Sequence, residues 1–209
     1  LCILKGQGIA TYYPDPMVRC PGDIAAWVEA DRESIIKLVR EKFPHEDISY
    51  LHVEYPIFND VDVELHFTPS YMCSYWHNRR LQRIFKEMRA QQFNNLIQLS
   101  FTDKKVSIAT IEFNMLFILS HIYRHLFSGI GMRQLVDYYY VLRQSDDKGE
   151  RERTVKRLKA LGMMRFNQGV MFIMKEIFGL EDNYLLTEPS EKDGTFLLNE
   201  IMRSGNFGV

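Results

Sequence analysis

The chain has 209 residues, 46% of them hydrophobic and 25% charged, which is enough to bury the core of one large domain or two small ones. Its 26 basic and 27 acidic residues give a net charge of −1, which argues against general binding to nucleic acid or to an anionic membrane. The longest apolar run, at residues 115–119, is too short to cross a bilayer. Three cysteines with neither Cys-x-x-Cys spacing nor a disulfide pattern are typical of the cytoplasm, where we expect this protein.

The first half of the chain predicts a mixed α/β core. An apolar run at the start ends in Lys5-Gly6, as a buried strand ends in a tight turn. An amphipathic helix with Asp31 as its N-cap is predicted at residues 30–43. A turn at Asn59-Asp60 predicts a hairpin between the last two strands. The expected strands lie at residues 1–4, 24–28, 52–55 and 61–67.

Between these strands and the second half, residues 71–89 form an aromatic and basic segment that predicts a solvated helix with an apolar seam including Tyr75. Its arginines could instead form a phosphate-facing patch, at Arg79, Arg80 and Arg83. Residues 93–108 are expected to hold short strands or a linker.

From about residue 108 the apolar spacing is helical. The predicted helices lie at residues 111–126, 132–144, 150–161, 165–178 and 196–202, the last of them beginning after Gly194. We therefore expect two domains, an α/β core at 1–107 and a helical domain at 108–209. Because Leu1 is not an initiator methionine and the chain begins inside a strand, we expect that the core is truncated at its N-terminus.

Acidic side chains fall on two of the predicted strands in positions suited to a divalent metal. Asp23 follows Gly22 at the start of one strand. Alternation along the strand at 61–67 places Asp62, Glu64 and His66 on one face. Taken alone, this alternation is better explained as the solvated face of an edge strand.

Several motifs together resemble the nucleotidyltransferase superfamily built on the polymerase-β palm, and within it the bacterial group known as uncharacterised nucleotidyltransferases. The motifs are Leu4-Lys5-Gly6, Tyr13-Pro14-Asp15-Pro16, Arg19 to Ala25, Val63-Glu64-Leu65-His66, the pairs His121/His125 and Arg133/Asp137, and an ending at 204–208. The resemblance covers most of the chain. It implies an α+β fold with a small mixed-sheet core followed by a C-terminal helical bundle.

The resemblance also implies a reaction. It is the transfer of a nucleoside monophosphate from a nucleoside triphosphate to a small molecule or a protein, with Mg²⁺ or Mn²⁺. Asp23 and Glu64 are implied as metal ligands and catalytic carboxylates, with Asp62 as the fallback for Glu64. Neither the acceptor nor the preferred base nor the oligomeric state follows from the sequence, and no sequence-specific binding of nucleic acid is expected.

Nucleotide binding is implied for a larger group of residues. Gly6 and Gly8 would let the backbone approach the phosphates, and Lys5 and Arg19 would supply cations. The group comprises Lys5, Gly6, Gly8, Arg19, His121, His125 and Arg133. Without the resemblance, the two cations are better explained as a solvated strand end and a surface ion pair, and the two histidines as packing residues.

Position 25 departs from the family pattern. Asp-Ile-Asp would place two carboxylates on one strand face, but this chain has Asp23-Ile24-Ala25. Either the chain lost its chemistry naturally or the aspartate was replaced to disable it. In both cases we expect nucleotide transfer to be impaired. The alternatives are a non-catalytic nucleotide-binding or interaction protein and, more weakly, a metal-dependent hydrolase that uses His121 and His125.

Overall fold

A computed structural model describes residues 1–20, 22–99, 103–126, 129 and 131–204. By the contacts between residues the chain falls into two compact units. The first comprises Leu1–Ser70 and Phe85–Thr110, and the second comprises Tyr71–Ile84 and Ile111–Val209. A mixed sheet lies in the first unit and helices make up the second, which confirms the predicted α+β class.

The sheet of the first unit has six strands in the described residues. They are β1 (Cys2–Ile3), β2 (Ile24–Trp27), β3 (His52–Glu54), β4 (Val63–His66), β5 (Leu96–Gln98) and β6 (Lys105–Ile108). Their spatial order is β3-β4-β2-β1-β6-β5. The pairs β2–β4 and β1–β6 are parallel and the other three are antiparallel. The four strands predicted in the first half are confirmed, and β5 and β6 form where the sequence left strands or a linker open.

Helix α2 (Arg32–Arg40) is the predicted amphipathic helix, and it covers one face of this sheet. Asp31 caps it by accepting a hydrogen bond from the backbone N–H of Ser34 at 2.9 Å. The apolar side chains of the helix pack against apolar side chains on the facing side of strands β2, β3 and β4. This core consists of Ala26, Ile35, Val39, Val53, Val63 and Leu65. Helix α1 (Gln7–Ala10) is a single turn that ends before Pro14.

Helix α3 (Tyr75–Asn94) begins and ends later in the chain than the predicted segment at 71–89, and the division between the two units falls within it. The predicted boundary at residue 108 therefore differs from the contact-based one, which assigns Tyr71–Ile84 to the second unit. The predicted division into domains at 1–107 and 108–209 stays a prediction. Tyr75 is 68% exposed, so its predicted place in the apolar seam of this helix is wrong.

The second unit contains five further α-helices among its described residues. They are α4 (Ile111–His125), α5 (Met132–Arg143), α6 (Lys148–Ala160), α7 (Met164–Glu176) and α8 (Glu191–Ser204). The first four agree with the predicted segments to within two residues. No helix in the described part of the chain is long and apolar enough to cross a membrane.

Gly194 was predicted to precede the last helix, but it lies inside α8. A Cβ atom there would come within 2.3 Å of Phe172 Cδ1 on α7. Gly169 on α7 shows the same close approach, since its Cβ would lie 3.0 Å from the carbonyl carbon of Asp193. Both glycines let the two helices pack closely. The prediction of a helix boundary at Gly194, which rested only on the local sequence, is therefore wrong.

The three cysteines should differ in reactivity. Cys2 lies on β1 and is fully buried, whereas Cys20 and Cys73 are exposed. Burial raises the pKa of the Cys2 thiol to about 12, which removes the nucleophilic thiolate at neutral pH. We expect iodoacetamide to modify two cysteines in the native chain and the third only in denaturant, as read by mass spectrometry. Rapid native modification of Cys2 would contradict the buried position of β1.

Candidate functional site

The turn after β1 places the first predicted site residues together. Gly6 has a φ of +57°, a conformation that glycine adopts at little cost. A Cβ atom on Gly6 would lie 3.4 Å from the carbonyl oxygen of Asp23 and 3.8 Å from Arg19 Nη1. The backbone of this turn therefore lies directly against the start of β2 and beside a guanidinium group.

Lys5 lies in the same turn. Its Nζ is 2.9 Å from Asp23 Oδ2, and the two side chains are 25% and 30% exposed. Residues of two sequence motifs, up to 18 positions apart, thus meet around one glycine turn, and they contribute two cations and a carboxylate.

Gly8 has a different environment from Gly6. A Cβ on Gly8 would lie 3.3 Å from the carbonyl oxygen of Ile3 and 3.4 Å from Ile108 Cγ2. The residue is buried, so its small size lets α1 pack against the sheet. Its predicted contact with phosphate stays a prediction, and this packing is sufficient reason for a glycine there.

The register of β2 and β4 decides which acidic positions share a face. Ala25 pairs directly with Glu64 in the parallel ladder. Paired residues on neighbouring strands project to the same face, so the side chain of Ala25 points to the side of Glu64. Ala25 is fully buried, and its carbonyl accepts a hydrogen bond from Leu4 N–H at 2.9 Å. The position expected to hold a second metal carboxylate is therefore a closed one that bears a methyl group.

Asp62 lies one residue before β4 and is exposed. Its carbonyl oxygen accepts the N–H of Ile24 at 2.8 Å, which continues the ladder between β2 and β4. Its carboxylate makes no hydrogen bond or ion pair among those found in the described residues. Glu64 is half-buried, within the strand and surrounded by partners, and it is therefore the better candidate of the two.

Two histidines hold the Glu64 carboxylate. Its Oε2 lies 2.9 Å from His66 Nε2, and its Oε1 lies 3.6 Å from His52 Nε2. Burial by itself would raise the pKa of Glu64, but the hydrogen bond from His66 and the nearby Lys5 and His52 lower it to about 2. The carboxylate is thus ionised at every physiological pH.

His52 is a member of this group that the sequence reasoning missed. It faces His66 directly in the antiparallel β3–β4 ladder, and Glu54 faces Glu64. Burial lowers the pKa of His52, although Glu64 opposes that shift. The signal was present, because a hairpin was predicted and His52-x-Glu54 mirrors Glu64-x-His66 across it.

His121 and His125 belong to the second unit. Their rings are 4.6 Å apart, and Arg124 Nη2 lies 3.2 Å from His121 Nδ1 and 2.8 Å from His125 Nε2. An arginine can only donate, so the ring nitrogens accept there and are turned towards a cation. This geometry does not support the hydrolase alternative, in which both histidines would bind zinc. Arg133 is exposed on α5, and the nucleotide-binding role of all three predicted residues in this unit stays a prediction.

The arginines of α3 fit the simpler of the two interpretations given above. All three are exposed, and Arg80 Nη1 donates to the carbonyl of Ala160 at 3.1 Å. Buried residues Leu81 and Ile84 form part of the apolar seam on the opposite side. This is the pattern of a solvated helix.

Comparison with known proteins matches residues 1–179 to a family model described as an uncharacterised nucleotidyltransferase. The chain belongs to the uncharacterised nucleotidyltransferase family. The match includes the entire sheet and helices α1–α7, and it confirms the family that the sequence motifs indicated. Neither a curated protein nor a solved structure matches the chain. The predicted family-like ending at 204–208 lies beyond the match, and of it only the backbone of Ser204 is within the described residues.

Proposed function

We propose that this member of the uncharacterised nucleotidyltransferase family binds a nucleoside triphosphate at the turn after β1 and transfers nucleoside monophosphate only weakly. The observation that carries the proposal is the meeting of Lys5, Gly6, Arg19 and Asp23 around one turn, beside the paired strands that bear Ala25 and Glu64. The acceptor is a small molecule or a protein.

The turn offers phosphate two kinds of group. The backbone of Gly6 has no side chain to keep an anion at a distance, and the Lys5 ammonium and Arg19 guanidinium supply positive charge. Lys5 would have to leave Asp23 to reach a phosphate. Because both side chains are partly exposed, their ion pair is worth only about 0–1 kcal/mol, which a phosphate contact offsets.

The residues present fit a Mg²⁺ ion incompletely. Mg²⁺ takes oxygen ligands, and Asp23 and Glu64 supply carboxylates from neighbouring strands. When bound, the ion would neutralise phosphate charge and make the acceptor hydroxyl more acidic. Ala25 provides no ligand between these two carboxylates, while Lys5 and His66 hold the carboxylates in other contacts. Weak metal binding and slow transfer follow from this donor set.

The test is calorimetric binding of a nucleoside triphosphate, with and without Mg²⁺, to the chain and to two lysine variants. Lys5→Gln should weaken binding by about 10-fold or more, because a charged hydrogen bond to phosphate is worth about 1.5–3 kcal/mol. Lys37→Gln is the matched control, since Lys37 is exposed on α2 in the same unit. Equal affinities for the two variants, or no binding to the parent chain, would overturn the proposal.

The alternative is a non-catalytic protein that binds a nucleotide or a partner, with Ala25 as its natural residue. The closed environment of Ala25 favours this alternative, since a fully buried methyl group already suits its surroundings. Nucleotide binding without turnover, even after an aspartate is restored at position 25, would decide for it.

A further inference from the structure

The cluster around Glu64 has the composition of a transition-metal site. We propose that His52, Glu64 and His66 bind one Zn²⁺ ion through two imidazoles and a carboxylate, with the fourth position open to water or a ligand. This site differs from the carboxylate site for Mg²⁺ described above, although it shares Glu64. It does not depend on nucleotide transfer.

The distances match such a site. One donor atom from each of the three residues lies within 4.8 Å of the other two. Around a tetrahedral Zn²⁺ with ligands at 2.0–2.1 Å, neighbouring donor atoms are about 3.3 Å apart. The separations are 2.9 Å from Glu64 Oε2 to His66 Nε2 and 3.6 Å from Glu64 Oε1 to His52 Nε2, so they lie on either side of that value at the two oxygens of the carboxylate. Small rotations of the side chains would bring all three onto one ion.

The hydrogen bonds of His66 orient its ring for this role. Nδ1 lies 3.2 Å from the carbonyl oxygen of Thr68, which can only accept, so Nδ1 carries the proton. The other ring nitrogen, Nε2, faces Oε2 of Glu64 at 2.9 Å, so it is the nitrogen at which a metal ion would replace the hydrogen bond to Glu64. A histidine that donates from one nitrogen to a backbone carbonyl is the usual arrangement when the other nitrogen binds a metal.

The scaffold holds the three ligands in fixed relation. His52 and His66 are directly paired residues of the β3–β4 hairpin, and Glu64 lies two residues from His66 on the same face. His66 is 4% exposed, whereas the side chains of His52 and Glu64 are 19% and 18% exposed. One side of the cluster is therefore closed and the other is reached by solvent. Two imidazole ligands favour zinc and other late transition metals over Mg²⁺, which takes oxygen ligands.

Glu54 adds a second carboxylate at the open side. It is paired with Glu64 in the hairpin, and its Oε1 lies 3.3 Å from His52 Nε2. Burial and the charge of Glu64 raise the pKa of Glu54. A bound dication would relieve the repulsion between these two carboxylates, since both lie beside the His52 nitrogen that would bind it.

The experiment is a titration of the metal-free chain with Co²⁺ and Zn²⁺. Co²⁺ in a tetrahedral site gives visible absorption bands, and Zn²⁺ affinity follows from its displacement of Co²⁺. We expect one ion per chain. His52→Gln should weaken Zn²⁺ binding by about 100-fold or more, since loss of even an outer partner of a ligand costs 10–100-fold. His45→Gln is the control, because His45 is exposed and outside the cluster.

Two further variants make the outcome decisive. Glu64→Gln should reduce affinity as strongly as His52→Gln, and both avoid the buried His66, whose replacement could unfold the sheet. Absence of a stoichiometric site, or loss of the site on His121→Gln instead of His52→Gln, would overturn the proposal. Equal Zn²⁺ affinity in the His52→Gln and His45→Gln variants would also overturn the proposal, because His66 and Glu64 would then form only an ion pair. Nucleotide binding by the His52→Gln variant, measured without zinc, distinguishes a failure of this proposal from a failure of the proposed function.

Discussion

Ala25→Asp should raise metal-dependent nucleotidyl transfer by about 100-fold or more, because a direct metal ligand matters at least as much as an outer partner. The new carboxylate would lie on the face of the sheet that bears Glu64 of β4, and two residues along the chain from Asp23. Transfer of an α-labelled nucleotide to components of a cell extract would measure turnover without knowledge of the acceptor. Binding of Mn²⁺, followed by electron paramagnetic resonance, would measure the metal site directly.

The same substitution should destabilise the metal-free chain. Position 25 is fully buried, and a buried carboxylate without a partner costs about 3 kcal/mol or more of unfolding free energy. Mg²⁺ or Mn²⁺ should recover much of that loss in urea unfolding. Ala26→Asp is the matched control, since Ala26 lies on the opposite face of the strand, in the apolar core under α2. The Ala26→Asp chain should lose the same free energy of unfolding with and without metal.

Two results would count against this view of the site. One is an Ala25→Asp chain with unchanged turnover and unchanged Mn²⁺ affinity, which would remove the catalytic interpretation of Asp23 and Glu64. The other is an equal response of the Ala25 and Ala26 variants to metal, which would show that position 25 does not face a cation site. Ala25→Asn, which has nearly the same size but no charge, would separate packing from electrostatics in either case.

The second large effect is expected in the helical unit, at an ion cluster between α4 and α6 in which the carboxylate is buried and Arg153 is half exposed. The side chain of Glu112 is 8% exposed, and its Oε2 lies 2.8 Å from Arg153 Nη2. Arg157, one turn further along α6, donates to the other oxygen. Replacing both arginines with methionine would leave a buried carboxylate without a cation, and should lower the free energy of unfolding by about 3–5 kcal/mol.

Urea unfolding of three chains would test this cluster. The double arginine variant should be the least stable, and adding Glu112→Met should restore most of the loss, because an apolar replacement of the entire cluster leaves no buried charge. Lys148→Met is the surface control, since its pair with Glu152 is 83% and 61% exposed and should contribute little. A loss below about 1 kcal/mol in the double variant would place Glu112 in contact with solvent instead.

Much of the secondary structure could be predicted because its signals are local. The Asp31 cap, the hairpin between β3 and β4, and four of the helices of the second unit each depend on residues that are close in sequence. Gly194 was misassigned for the same reason. A glycine that ends a helix and one that admits a neighbouring helix are identical in sequence, and only the approach of Phe172 separates them.

For the candidate site, the sequence by itself determined the family, the acidic residues on two strands and the missing carboxylate at position 25. These are properties of residue identity and spacing. Tertiary structure alone decided which side chains meet. The pairing of Lys5 with Asp23 depends on the order and register of β1 and β2, and the contact of His52 with Glu64 depends on the register of the β3–β4 hairpin. Register is fixed by the packing of the whole sheet, since a shift of one residue would turn every side chain to the other face.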